Sequence, residues 1–148
     1  MIEAELDHDV RLHIFAHAVT EGAPPTVAST ARALGAGEAD VEAAFRRLAA
    51  GKVIVLVPGE REILMANPFA ATPTGFAVRA GDRQWYGNCA WDALGILSAL
   101  GADGSVTTTC ADCADPLKAT VQGGIPRGEA VLHIAVPAHH WWDDIVFT

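Results

Sequence analysis

The chain has 148 residues, 51% of them apolar and 19% charged, with a formal net charge of −8 at neutral pH. That composition excludes a disordered chain, and the length suffices for one ordinary domain or two small ones. No apolar run approaches the roughly 20 residues a membrane helix needs, and Met1 leads into Glu3, Glu5, Asp7 and Asp9 where a signal peptide would be basic. A cytoplasmic protein with no membrane partner is expected, and its three cysteines then read as free thiols or metal ligands rather than a disulfide framework.

In chain order, Val10, Ile14 and Ala18, with Phe15 and Val19, repeat at helical spacing up to Gly22. A second set, Val27, Ala31 and Leu34, follows Pro24-Pro25 and a candidate cap at Thr26. Val41, Ala44, Phe45 and Leu48 predict a third helix stopped by Gly51. Residues 53–57 and 63–65 then read as strands joined across Pro58-Gly59-Glu60. Three helices followed by a hairpin is the pattern of a winged helix. Such a module often binds DNA through its third helix and wing, which here offer Arg46, Arg47, Lys52 and Arg61 against Glu38, Asp40, Glu42, Glu60 and Glu62. Phosphate binding needs a local excess of positive charge. Residues 1–77 carry six Lys/Arg against ten Asp/Glu, and the remainder four against eight, so DNA binding is not expected.

Residues 67–82, with Pro68, Pro73, Gly75 and Gly81, read as a linker. The division expected is therefore a winged-helix-like domain with linker over residues 1–77 and a second domain over 78–148. In the second, residues 88–100 predict an apolar, buried helix closed by Gly101. Residues 105–109, 117–121 and 131–136 read as strands separated by turns. The fold class is α+β, a buried helix packed on a small, mainly antiparallel sheet.

The chemistry concentrates at the start of that helix. Asn88-Cys89-Ala90-Trp91-Asp92 sets a thiol and a carboxylate at i and i+3, on one helix face. With Asn88 as cap, Cys89 stands at about the first helical position, where free amides and the helix dipole favour a thiolate. Asp92 faces burial, which raises a carboxyl toward the range of a general acid. Cys110-Ala111-Asp112-Cys113 is a C-x-x-C in a loop, readable as half a zinc site, a redox pair or an ordinary turn. Its candidate partners His133, His139 and His140 show no recognised ligand spacing. Trp141 and Trp142 read as packing residues rather than binding residues.

These residues carry a resemblance. The Cys-Ala-x-Asp signature at Cys89-Ala90-Trp91-Asp92, followed by Ala93-Leu94-Gly95, residues 106–110 and the closing Trp141-Trp142-Asp143-Asp144-Ile145-Val146-Phe147-Thr148, resembles the catalytic core of the organomercurial (alkylmercury) lyases. The preceding part is similar to that family's N-terminal domain. The resemblance implies that Cys89 attacks mercury as a thiolate and that Asp92 handles the proton delivered to the departing carbon. Both residues then contact the metal. Soft thiolate suits soft mercury. The implied partners are an organomercurial substrate, small thiols and a mercuric reductase downstream. The implied product is a hydrocarbon with thiolate-bound Hg(II), and no organic cofactor is needed.

One departure matters. The resemblance implies a second catalytic cysteine just behind a segment like residues 144–147, and the sequence stops at Thr148, which suggests truncation and impaired activity. Cys110 or Cys113 is then a candidate additional thiol ligand, although the family position similar to Cys110 is structural. Two function classes stay open: a lyase using Cys89 and Asp92, or a non-catalytic winged-helix protein binding or sensing a soft metal through Cys89, Cys110 and Cys113.

Overall fold

The computed structural model describes residues 3–147. Met1 at the acidic start and Thr148 at the end of the closing motif lie outside the described residues. Helices α1 (Glu3–Glu21), α2 (Val27–Leu34) and α3 (Glu38–Ala50) come first, followed by strands β1 (Val55–Leu56), β2 (Ile63–Ala66) and β3 (Phe69–Ala70). Next are β4 (Ala77–Ala80), β5 (Arg83–Tyr86), α4 (Ala90–Leu100), β6 (Gly104–Thr109), β7 (Pro116–Gln122), β8 (Ile125–Arg127) and a short 3₁₀ helix over Ala138–Asp143. The fold is α+β with two antiparallel sheets, ordered β1-β2-β3 and β5-β4-β6-β7-β8. No helix among the described residues is long and apolar enough to cross a membrane.

The three expected helices form for the reasons their sequence carries. Thr26 caps α2 through a reciprocal pair: its Oγ1 accepts from Ser29 N at 3.1 Å while Ser29 Oγ accepts from Thr26 N at 3.0 Å. The wing reinforces that end, because Val27 N donates to Glu62 Oε2 at 3.0 Å. Gly51 ends α3 as expected, but the left-handed turn is taken one residue later by Lys52, at φ 60°. Val10, Ile14, Val27, Val41, Phe45 and Ile54 make a first core that excludes solvent. Each large side chain buried this fully stabilises the fold by about 1.5–3 kcal/mol.

Three arginines of this part, Arg46, Arg47 and Arg61, face carboxylates. Arg47 forms a two-pronged pair with Asp7, at 2.8 and 2.7 Å, tying α3 to α1. Arg46 meets Glu42 at 2.7 Å, and Arg61 meets Glu38 at 3.2 Å.

A second core gathers Val78, Trp85, Ala93, Ile96, Leu97 and Val106 between α4 and the larger sheet. Helix α1 joins the two cores. Ala18 belongs to the second, Phe15 packs against both, and Trp85 Nε1 donates to the α1 carbonyls of Ala18 and Val19 at 3.1 and 3.2 Å.

Two expectations fail. Residues 67–82 are not a linker: they contain β3, which extends the first sheet, and β4, which lies inside the second. Phe69 and Val78 are buried, so the prolines and glycines there are turn residues between strands. The expected strand over residues 131–136 is absent and its place as the strand after β7 is taken by β8. Val131 is 92% exposed; apolar β-branched residues make a strand only where a partner edge and a core receive them. Trp141 and Trp142 join neither core. Trp141 Nε1 donates to Val136 O at 2.7 Å, and Lys52 Nζ lies 5.6 Å from the Trp142 ring centroid.

Candidate active site

The site is built where β5 hands over to α4. Gly87 makes that approach feasible: a Cβ there would lie 2.5 Å from Ala93 N and 2.7 Å from Ala93 Cα. Thr74 Oγ1 donates to Gly87 O at 2.6 Å, and Gly87 N donates to Phe76 O at 3.0 Å, so the crossing is held from the β4 side. Gly87 also bridges to Phe69, which brings the loop before β3 against the start of α4.

The helix begins one residue later than expected, and Cys89 itself is the N-cap, with extended backbone and its carbonyl accepting from Ala93 N at 2.9 Å. Its acidity runs opposite to the expected direction. Burial pushes the half-buried Cys89 thiol up from its ordinary value, the Asp92 and Trp91 amides pull the other way, and the charge of Asp92 adds to the rise.

Asp92 is half-buried in the first turn, as expected, and burial raises its carboxyl above the ordinary carboxylate range. Asn88 moderates that rise. Its Nδ2 donates to Asp92 Oδ2 at 3.0 Å and also to Asn67 Oδ1 at 3.0 Å. Asn88 is thus not the helix cap but the clamp of the carboxylate. Asn67 was hidden in a segment that reads as a linker; the i,i+4 spacing of Asn88 and Asp92 was the available signal for the clamp.

Cys89 and Asp92 therefore form a thiol beside a carboxyl, each displaced toward its neutral form. Such a pair can bind a thiophilic centre through sulfur and hold a proton beside it. Trp91 between them is 57% exposed, on the outer side of the helix.

Cys110 and Cys113 lie elsewhere, in the loop joining β6 to β7. The Cys113 and Asp112 amides, with the Cys113 thiol, hold Cys110 below the ordinary thiol value. Among the described residues no group of three or more His, Cys, Asp or Glu side chains is placed to hold a metal ion. His140 instead pairs with Asp143 at 2.8 Å, and the His139 and His140 rings lie tilted by 46° with centroids 4.0 Å apart.

Helix α4 is buried on one face only, through Ala93, Ile96 and Leu97, not all round as its apolar sequence suggests; an α+β chain with a cysteine and an acid at the start of such a helix defines a thiol-dependent class of site. Residues 69–148 match the family model of the MerB alkylmercury lyases, and the chain belongs to that family. Among solved structures it is similar to the crystal structure of the mercury-bound form of MerB2, with a TM-score of 0.60 and 25% sequence identity over 82% of this chain. That overlap spans 57% of the MerB2 chain. No curated protein sequence matches the chain.

Proposed function

We propose that this protein cleaves carbon–mercury bonds, with Cys89 as nucleophile and Asp92 as general acid. The observation that carries the reading is the i,i+3 pair itself, half-buried at the start of α4, in a chain of this family. The mercury-bound MerB2 structure supports mercury as the ion received.

In this mechanism the organomercurial arrives as a small-thiol adduct and Cys89 displaces that thiol, giving a Cys89 sulfur–mercury–carbon unit. A small-thiol thiolate then adds to mercury and pushes electron density onto the carbon. The protonated Asp92 delivers its proton to that carbon. The carbon–mercury bond breaks and a sulfur–mercury bond forms. The products are the hydrocarbon, mercury held between Cys89 and the small thiol, and the Asp92 carboxylate. The raised carboxyl pKa suits this role because it keeps the proton available to higher pH. The raised thiol pKa does not help; proton loss from Cys89 is driven by mercury, which binds the thiolate.

No organic cofactor enters this scheme, and Hg(II) is a bound product. Further small thiols, or a mercuric reductase, take the metal from Cys89. The reading places the protein in the cytoplasm, where reduced thiols are abundant. Residues 1–77 act in it as a supporting domain for the start of α4, through Asn67 and the α1 contacts of Trp85. The test is hydrocarbon release from phenylmercury in excess thiol, compared between the protein and its Cys89→Ser and Asp92→Ala variants. A non-catalytic binder of soft metal would take up mercury and release no hydrocarbon.

A further inference from the structure

The hairpin of β6 and β7 closes over a loop with internal structure. The last ladder pair is Thr109 with Pro116. Between them Ala114 N donates to Cys110 O at 3.0 Å and Cys110 N donates to Asp115 O at 2.8 Å. The first of these bonds spans i to i+4, one helical turn, and in such a turn positions i and i+3 lie on the same side. Cys110 and Cys113 occupy those positions. Ala114, at φ 60°, then reverses the chain into β7. The i,i+3 placement in this turn therefore sets both thiols on one side of the loop. Cys113 is exposed and Cys110 half-buried, which leaves the pair open to a ligand from solvent.

We propose that Cys110 and Cys113 form a second thiol site, a chelating dithiol that binds one soft cation satisfied by two sulfur donors, independently of Cys89. Two thiolates at fixed separation favour a soft cation, and Asp112 and Asp115 of the same loop add negative charge that favours any cation. The choice of Hg(II) as that cation rests on the function proposed above; the existence of the site does not. Loading is an exchange: two protein thiols and a mercury bis-thiolate give the chelate and two small thiols, with no change of oxidation state. The chelate outcompetes separate thiols because the second sulfur is already in place when the first has bound.

The site's position fits traffic from Cys89. Tyr86 pairs with Ala77, and Ala77 with Thr107, in one row across β5, β4 and β6. β5 and β6 run in the same direction, so the chain after Tyr86 and the chain after Thr109 leave the sheet at the same end. The lateral offset is two strand spacings, on the order of 10 Å. Mercury left on Cys89 after carbon loss is thus delivered near a stronger acceptor on the same molecule, which frees Cys89.

The test uses the full chain carrying Cys89→Ser, titrated with Hg(II) as its glutathione complex. It is read by thiolate-to-mercury absorption in the ultraviolet and by native mass spectrometry. The expected result is one Hg(II) retained per chain against excess glutathione, with Cys110 and Cys113 both protected from a maleimide. Adding Cys110→Ser or Cys113→Ser should weaken retention by about 100-fold or more, with circular dichroism unchanged. Failure of the Cys89→Ser protein to hold mercury overturns the proposal. So does equal retention without Cys113, or a mass lower by two hydrogens under the same reducing conditions, which marks a disulfide in place of the chelate. Since Cys89→Ser removes the proposed nucleophile, retention there is independent of whether the parent protein releases hydrocarbon.

Discussion

Asn88 Nδ2 lies 3.0 Å from Asp92 Oδ2 while also donating to Asn67 Oδ1, so one amide couples the candidate acid to the loop ahead of β3. Because that hydrogen bond favours the charged carboxylate, Asn88→Ala should raise the Asp92 titration midpoint above that of the parent protein. Carbon-13 NMR of the carboxyl carbon reads this directly. An unchanged or lower midpoint would mean that Asn88 does not control the acid. The linked stability has a definite sign. Asp92 is displaced upward, so its contribution is full below the ordinary value of 3.8 and is lost as pH rises through the folded value. Asp92→Asn should abolish that loss.

The thiols should react in an order opposite to their proposed roles. Cys110 is held below the ordinary thiol value and Cys89 above it, and the thiolate is the species that alkylates. At pH 7, iodoacetamide should modify Cys110 faster than Cys89, with the Cys89 rate still climbing at pH values where Cys110 has levelled off. Peptide mass spectrometry over a pH series measures both. Faster labelling of Cys89 would show that the amides at the start of α4 outweigh its burial.

Gly87→Ala should destabilise the fold by about 1–3 kcal/mol, the usual cost of forcing extra volume into a packed contact. The new methyl would sit 2.5 Å from Ala93 N, so the start of α4 must move, and Cys89 and Asp92 move with it. Urea unfolding gives the stability, and hydrocarbon release should fall by more than the unfolded fraction explains. A variant as stable and as active as the parent would contradict the packing described for this crossing.

Acid should weaken the fold through His13. Burial, with the neighbouring His17 ring 5.8 Å away, holds His13 below 6.5, and its Nε2 is buried without a hydrogen-bond partner among the described residues. A depressed histidine binds fewer protons folded than unfolded, so stability falls as pH drops below about 6.5 and continues to fall until the folded value is passed. His13→Leu should flatten that limb in urea titrations between pH 7 and 5. A limb of the same slope in the variant would assign it to other groups.

The helices of the first part were legible because periodicity and end signals agreed: Thr26 stands where α2 begins and Gly51 where α3 ends. The strands β3 and β4 were not. Phe69-Ala70 and residues 77–80 are too short for alternation to speak, and Pro68, Pro73 and Gly75 beside them looked like a tether. Residues 131–136 erred the other way, since their β-branched apolar composition signalled a strand that no edge receives. At the site, Cys89 and Asp92 were readable from spacing. The direction of the thiol's acidity was not readable, because burial, which the sequence does not show for a single cysteine, outweighs the amides at the helix start. Asn67, 21 residues upstream of Asn88, is joined to the site only by tertiary folding.

The most direct measurement is the initial rate of benzene release from phenylmercury, by headspace gas chromatography in excess small thiol, for the protein, Cys89→Ser and Asp92→Ala. The account predicts release by the parent protein well above the thiol-only control, release at the control level for Cys89→Ser, and a loss of about 10²–10⁴-fold for Asp92→Ala, the usual worth of a positioned acid. Parent release no faster than the thiol-only control, or equal release from all three proteins, would contradict it.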